Sequence, residues 1–436
     1  MDIALITILL FVTLIVILLS GLPLAFALGG TAMIFGLLFW GPSCLFMFPA
    51  KTFGAMKSIV LVAVPLFVFM GNVLQRSGIA DELYEAAYVW GGRLRGGLAL
   101  GTIAICTIFA AMSGSSAPAT VSMGLIAYPS MVKRKYDPKM AMGCIAAGGA
   151  LGILIPPSIT MIVYGMMTGI SVGRLFIGGI LPGLLLAGLF MAYVEIRCLI
   201  QPNLGPPVPD EKQIPLKERI VSLRAIVLPL LLIAGILGSI YSGAATPTEA
   251  AAVGALGAIV CAAFKRRLNR RELRAAGLDS LKLTTMIMWI VVGGYWFAAI
   301  FQAIGASAFV AQLIGGLPFG RWGIMIVIQL TFFILGMLMD PIGIIFVTMP
   351  IYFPMIMSLG FDPVWFGVVF IVNMQMAYIT PPFGVNLFYL KAIVPKNITM
   401  MDIYRSCLPF VAIQLIGLLI AMFFPQIVLW LPGKML

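Results

Sequence analysis

Residues 152–159 read GILIPPSI and residues 377–384 read AYITPPFG. Two adjacent prolines remove two backbone donors from a helix and clash with the turn before them, so each stretch interrupts any helix that contains it. The chain around them is strongly apolar. Of its 436 residues 62% are hydrophobic and 10% are charged, and apolar runs of about twenty residues recur from end to end. No polar surface remains to cover a soluble core of this size, and a barrel would alternate in roughly ten-residue segments instead. The fold class is an all-α polytopic membrane protein.

Composition removes several kinds of chemistry. There is no histidine, which excludes Ser-His catalysis, histidine metal ligation and histidine proton relays. Six cysteines, Cys44, Cys106, Cys144, Cys198, Cys261 and Cys407, lie singly and read as small apolar packing residues rather than a metal site or a disulfide framework. The net charge of +12 comes from basic residues in short loops between apolar blocks. That is the positive-inside bias of a membrane protein, with no basic and aromatic stripe for nucleic acid. KRKYDPK (Lys133 to Lys139), the loop from Gln201 to Arg224, and KRRLNRR (Lys265 to Arg271) therefore face the cytoplasm. The first apolar block, Ile3 to Leu19, lacks a basic leader and a small-x-small cleavage site and is expected as a retained helix.

The two double prolines belong to a longer repeat. At an offset of 225, Pro129, Asp137, Pro138, Pro156 and Pro157 fall on Pro354, Asp362, Pro363, Pro381 and Pro382. GISVGRLFIGGILP resembles NITMMDIYRSCLP, and upstream Gly78 and Met112 match Gly305 and Met339 at an offset of 227. Charge says how the copies are related. The first copy carries Lys133, Arg134, Lys135 and Lys139 where its partner SLGFDP carries no basic residue, and its MMTGIS is uncharged where the second copy has Lys391 and Lys396. The bias swaps sides, as an inverted-topology repeat requires.

On this hypothesis about ten helices cross the bilayer, at residues 2–20, 22–48, 57–75, 138–169, 175–198, 224–242, 247–264, 282–303, 363–390 and 403–431. Two half-length pairs, 97–132 and 321–357, are expected as re-entrant helical hairpins entering from opposite sides. Of the 27 Lys and Arg, 22 then fall inside and 5 outside, with Lys51 and Lys57 the main tension because they land outside near a helix end. The expected organisation is N-terminal scaffold helices over 1–75 and a first repeat over 76–200 with hairpin 97–132 and broken helix 138–169. A cytoplasmic linker with central scaffold helices follows over 201–281, then the second, inverted repeat over 282–436 with hairpin 321–357 and broken helix 363–390.

Irregular backbone at membrane depth is tolerated only where protein buries it or where it lines a cavity. Each broken helix follows a hairpin whose tip is equally hostile to helix, SGSSAP (Ser113 to Pro118) and LMDPIG (Leu338 to Gly343). Four broken ends are expected to converge near the midplane, where freed carbonyls, hydroxyls and helix termini hold a cation and an anionic group. Oxygen ligands without thiolate or imidazole suit a small hard cation. The candidate cation ligands are Ser113, Ser115, Ser116, Gly152 and Pro156 in the first copy, and Asp340, Thr380 and Pro381 in the second. Ser116, Pro157, Ser158, Pro382 and Asn386 are the candidate substrate contacts. Asp340 is the acid most deeply set in apolar sequence, a functional hypothesis by default; Asp-Pro is also a good helix start, which gives it a capping role instead. The serines read equally as close-packing positions between membrane helices.

Other polar segments have plainer readings. Thr246, Pro247 and Glu249 in ATPTEAAAVGA fit a capping box. DELYEAAYVWGGRLRGG (Asp81 to Gly97) reads as an interfacial helix leading into the first hairpin, and PNLGPPVPDEKQIP (Pro202 to Pro215) as a flexible linker between the halves.

MSGSSAPATVSMGLIAYPSM, GGALGILIPPSITMIVYG, YSGAATPTEAAAVGAL, GMLMDPIGIIFVTMPIYFPM and MAYITPPFGVNLF together resemble the large membrane subunit, the DctM-like family, of tripartite ATP-independent periplasmic (TRAP) transporters. The resemblance covers nearly the whole chain. It implies a sodium-coupled importer in the bacterial inner membrane, moving organic acids such as C4-dicarboxylates or sialic acid by an elevator motion of the domain that carries the hairpins. It implies Na+ at Ser113 to Ser116 with the first break and at Asp340 with the second. Its partners would be a soluble periplasmic substrate-binding protein and a small membrane subunit, the latter expected as a separate chain.

A stand-alone dicarboxylate or anion carrier on the same inverted-repeat plan is the nearest alternative. An intramembrane protease lacks its histidine or its second intramembrane aspartate. A channel fits broken helices at a closed midplane less well than alternating access does. No enzyme is expected.

Overall fold

A computed structural model describes residues 2–92, 94–207, 216–267, 269–316 and 318–435. Among these the chain is helical throughout. It opens with α1 (Ile3–Leu19), α2 (Leu24–Trp40), α3 (Cys44–Met56) and α4 (Ala63–Arg76). The first repeat continues through α5 (Ile79–Gly91), the hairpin α6 (Gly97–Ser113) and α7 (Ser116–Lys133), the broken helix α8 (Pro138–Ala150) and α9 (Ile159–Thr168), and α10 (Val172–Ile200). Between the repeats lie α11 (Leu216–Ser222), α12 (Arg224–Tyr241) and α13 (Pro247–Phe264). The second repeat runs through α14 (Arg270–Ala303), α15 (Ala306–Gly315), the hairpin α16 (Arg321–Gly336) and α17 (Pro341–Ser358), the broken helix α18 (Pro363–Ala377) and α19 (Val385–Ile393), and α20 (Met400–Phe423), with a last turn α21 (Gln426–Leu429).

Among the described residues, eight stretches are long and apolar enough to cross a bilayer. Seven correspond to expected crossings and the eighth is the hairpin arm α17. The other expected crossings are α1, 17 residues long, and the two broken helices.

The repeated sequence signals are helix starts. Asp137 accepts the Met140 N–H at 2.9 Å and Asp362 accepts those of Val364 and Trp365 at 2.8 and 3.0 Å, each followed by Pro at the first helical position, so each Asp-Pro opens a broken helix. Gly78 and Gly305 take φ of +77° and +80°, the left-handed conformation that a glycine adopts without a Cβ penalty, and they open the matching helices α5 and α15. Thr246 and Glu249 form the expected capping box of α13, and Thr399 with Asp402 forms another at α20.

Four expectations are corrected. The helix expected over 22–48 ends at Trp40, where Gly41 (φ +71°) and Pro42 turn the chain, and resumes as α3. Lys51 consequently lies inside α3, and Lys57 is its C-cap. The helix expected over 282–303 begins at Arg270, because Asn269 caps it and its charged first turns lie against α4: Arg76 bridges to Glu272 at 2.9 Å and to Asp279 at 2.6 Å. The helix expected over 403–431 runs from Met400 to Phe423, where Pro425 stops it. The linker expected to be flexible is fixed where it is described: Gly96 N–H donates to the Gly205 carbonyl at 2.8 Å and Asp137 N–H to the Leu204 carbonyl at 3.0 Å. Residues 208–215 of that linker lie outside the described residues.

Packing makes the inversion visible. α2 runs beside α14, with Gly29 against Gly293 and Gly36 against Ile300. α3 then returns along it, Phe48 stacking on Trp296 at 4.7 Å. α4 continues the same way, Asn72 Nδ2 donating to Ser280 Oγ at 2.9 Å. The α3–α4 path is thus antiparallel to its counterpart α14. The remaining contacts exchange in the same sense: α7 packs on α19 and α17 on α9, while α8 packs on α20 and α10 on α18. This is an inverted-topology repeat with two re-entrant hairpins.

The feet of the two hairpins are fastened differently. The first is tied by the Leu204 and Gly205 carbonyls. The second is closed by Trp322, which meets Phe361, Trp365 and Phe423 with ring centroids 5.3, 6.1 and 5.4 Å apart, while Trp365 Nε1 donates to the Ala421 carbonyl at 2.8 Å. Trp322→Ala should cost about 3 kcal/mol of stability, read as a lowered midpoint in thermal unfolding of the detergent-purified chain; Trp322→Phe should recover most of it. An unchanged midpoint for the alanine variant would show that the aromatic cluster does not hold this foot closed.

Candidate functional site

The first tip and the first break are joined directly. α6 ends at Ser113, Gly114 turns the chain in the left-handed region (φ +66°), and Ser115 is extended before α7 begins. The Gly114 carbonyl accepts the Ile159 N–H, the first of α9, at 3.2 Å. Ser113 Oγ donates to the Ser115 carbonyl at 3.0 Å. This approach needs glycine twice. A Cβ at Gly114 would stand 2.9 Å from the Pro157 carbonyl oxygen, and one at Gly152 would overlap the Ser115 carbonyl and reach Ser116.

Ser113, Ser115, Ser116, Gly152, Pro156 and Pro157 therefore sit together, and residues 151–160 are all buried. Ser158 is there too, but committed. Its hydroxyl donates to the Ile153 carbonyl and accepts the Met161 N–H at 3.3 Å, making it the N-cap of α9.

The second tip and break meet through side chains. Asp340 caps α17 with Oδ1, which accepts the Ile342 N–H at 2.9 Å, and its Oδ2 accepts the Tyr378 hydroxyl at 3.1 Å. The capping reading of Asp340 is realised, and the residue also borders open space. Beyond Tyr378 the break turns on itself: Gly384 N–H donates to the Thr380 carbonyl at 3.1 Å and Asn386 N–H to the Tyr378 carbonyl at 3.2 Å. Thr380 Oγ1 returns to the Met376 carbonyl at 2.7 Å. Pro381 is half-buried and Pro382 exposed, and the Pro382 carbonyl accepts the Tyr404 hydroxyl at 3.3 Å.

The two copies touch through their broken helices. Asn386, fully buried, donates Nδ2 to the Ala146 carbonyl at 3.0 Å, and Tyr164 donates its hydroxyl to the Pro363 carbonyl at 3.1 Å. Asn386 thus joins the second break to α8 rather than to a cavity.

Each tip also borders open space against α14. About 570 Å³ lies beside Asp340, walled by residues such as Leu22, Phe26, Trp289, Phe383 and Tyr389. About 90 Å³ lies beside Ser113 and Ser115. Leu283 of α14 borders the smaller cavity and Met286 the larger, three residues or about 4.5 Å apart along the helix, so the two spaces border α14 within one turn of each other. Asp340 is the one carboxylate among the residues bordering either space. The first tip offers carbonyl and hydroxyl oxygens and the second adds a carboxylate, donors suited to a hard monovalent cation.

Sequence reasoning missed Tyr378, the partner of Asp340, and the polar pair Asn72 and Gln75 on α4. The signal for the pair was present as two carboxamides three residues apart in the apolar run FVFMGNVLQ.

Residues 11–427 match the family described as "Tripartite ATP-independent periplasmic transporter, DctM component". The chain is 37% identical over 400 residues to a C4-dicarboxylate TRAP transporter large permease protein of Pseudomonas aeruginosa, covering 91% of this chain and 92% of that one. It is 34% identical over 424 residues to an ectoine/5-hydroxyectoine TRAP transporter large permease protein of Ruegeria pomeroyi, covering 97% of each. Its fold is similar to that of the YdaH transporter of Alcanivorax borkumensis, with a TM-score of 0.62 over 95% of this chain and 98% of that one, at 16% identity. These relatives are transporter permease subunits rather than enzymes. A chain with two re-entrant hairpins seated on two broken helices, matched from end to end in this way, belongs to the DctM component family of the tripartite ATP-independent periplasmic transporters.

Proposed function

We propose that the chain is the large permease subunit of a sodium-coupled importer of small organic anions in the bacterial inner membrane. The observation that carries this reading is the pairing of each hairpin tip with the break of its own copy, Gly114 with Ile159 and Asp340 with Tyr378. Each pairing gathers oxygen atoms from broken backbone, the arrangement by which secondary transporters bind coupling ions. In this reading Na+ sits at Ser113 to Ser116 with the first break, and at Asp340 with the second. The helices that carry the tips and breaks move as a body against α1–α4 and α12–α14. A periplasmic binding protein delivers the substrate, and a small membrane subunit, a separate chain, covers part of the apolar outer surface. The names of the relatives favour C4-dicarboxylates and compatible small acids, and sialic acid belongs to the same carboxylate class.

Three outcomes test the reading. A ligand that binds only the folded state raises its unfolding midpoint, so sodium chloride should stabilise the purified chain saturably relative to potassium and choline chloride at equal ionic strength. Equal midpoints in the three salts would remove sodium from the mechanism and favour a stand-alone, proton-coupled carrier. Asp340→Asn keeps the cap but removes the charge: sodium-driven uptake into proteoliposomes with the binding protein and small subunit should fall to background while the variant still unfolds cooperatively. Unchanged sodium dependence would take Asp340 out of the site. Gly152→Leu should also abolish uptake, because its side chain meets the Ser115 carbonyl. Normal uptake by that variant would mean that the first tip need not close on the first break during transport.

A further inference from the structure

The small cavity at the first tip is polar in a way that neither the sequence motifs nor the cation sites explain. Its 90 Å³ are bordered by Asn72 and Gln75 of α4, Ser113 and Ser115 of the tip, and Leu283 of α14. A water needs about 10–15 Å³ on this scale, so the space admits several waters or one carboxylate-sized group.

The two carboxamides are not equivalent. Asn72 Nδ2 is anchored on Ser280 Oγ at 2.9 Å, and that hydroxyl is itself fixed on the Ala276 carbonyl at 2.6 Å, which orients the amide and leaves its second N–H free. Gln75, almost one turn along the same face of α4, makes no side-chain hydrogen bond among the described residues, and neither does the Ser115 hydroxyl. All three side chains are half-buried and keep hydrogen-bonding capacity beside this space. Amide N–H and hydroxyl groups that border one small space, with no acid and no base among the residues lining it, fit an anion's oxygens.

The second tip offers the opposite field. There a much larger and mainly apolar space carries the Asp340 carboxylate, which repels an anion. We propose that the cavity between α4 and the first tip seats the anionic group of the substrate, a carboxylate or its equivalent, with Gln75 and Asn72 as donors from α4 and Ser115 as donor from the tip. This rests on the organic-anion reading above and moves the substrate contact to α4 from Ser158, whose hydroxyl is bonded within the break, and from Asn386, whose Nδ2 is held by the Ala146 carbonyl and whose Oδ1 has no partner among the described residues. A sodium ion at Ser113 to Ser116 lies beside the seat and neutralises its occupant. Because the carboxamides belong to α4 and the hydroxyl to the hairpin, the seat exists only while the tip lies against α4.

The test uses the purified chain with its small subunit. Thermal unfolding is followed in saturating sodium chloride with added succinate or ectoine, both of which carry carboxylates, and separately in sodium against choline chloride. Succinate or ectoine should raise the wild-type midpoint saturably. Gln75→Met should weaken that effect roughly ten- to a hundredfold in concentration. The near-isosteric Gln75→Glu should remove it by charge repulsion, and in both variants the sodium-specific shift should persist. In reconstituted uptake Gln75→Met should raise KM far more than it lowers kcat. A wild-type chain insensitive to both probes, a ligand effect unchanged in Gln75→Glu, or loss of the sodium shift together with the ligand shift would each overturn the proposal. Absence of a sodium shift in the wild type is a separate result that strikes the sodium coupling itself.

Discussion

Backbone groups freed inside a membrane must find partners in protein, since hydrocarbon offers none. Everything particular to this fold follows from how that requirement is met at two places. At the first, the amide released by Pro156 and Pro157 at the start of α9 is taken up by the carbonyl of Gly114. At the second, the cap of one hairpin arm, Asp340, is shared with the tyrosine that opens the break. A hairpin tip in this chain is thus the complement of a broken helix. Neither would persist alone at this depth, and the order hairpin then broken helix in each repeat keeps the two halves of each complement close in sequence.

Much of this was legible before any coordinates. Asp-Pro before each broken helix, the paired glycines at 78 and 305, and the capping box at Thr246 are local signals with local causes, and all act where they were read. Asp340 was legible as a cap for the same reason. What escaped was set by distant partners. The charged first turns of α14 look like loop until Arg76 is placed across from Glu272 and Asp279. Tyr378 is one aromatic among many until it reaches Asp340, and Asn72 and Gln75 gain meaning only from the tip that faces them. Asn386 was read as a substrate contact from its place after the break; its Nδ2 is held by the Ala146 carbonyl of the other copy, a bond that only the fold reveals, and its Oδ1 has no partner among the described residues.

The copies are related by inversion, yet they have diverged in physical character. Where Gly148 lets α8 close on Cys106 and Ile103 of α6, the corresponding Asn373 donates to the carbonyl and side chain of Gln329 at 2.7 and 2.8 Å. One hairpin rests on its broken helix through close apolar approach, the other through a carboxamide clasp. The first break is sealed and neutral, and the second opens beside a carboxylate. A symmetric pair would offer a substrate the same field at both tips; this pair offers donors at one and an acid at the other, which gives the space along α14 a direction.

The tie between Leu204, Gly205 and the feet of the first hairpin is made by main-chain atoms alone, from a segment that follows the 29-residue helix α10. Gly205 must stay a glycine, because a Cβ there would stand 2.9 Å from Gly96 Cα and press on the residue whose N–H it accepts. The length of the segment is fixed as well: one residue inserted or deleted between Ile200 and Gly205 would shift both carbonyls out of register with Gly96 and Asp137. The span from the end of α10 to Gly205 therefore acts as a ruler, fixed in count and ending on an obligatory glycine, and it conveys any displacement of α10 to the base of the hairpin whose tip closes the first break.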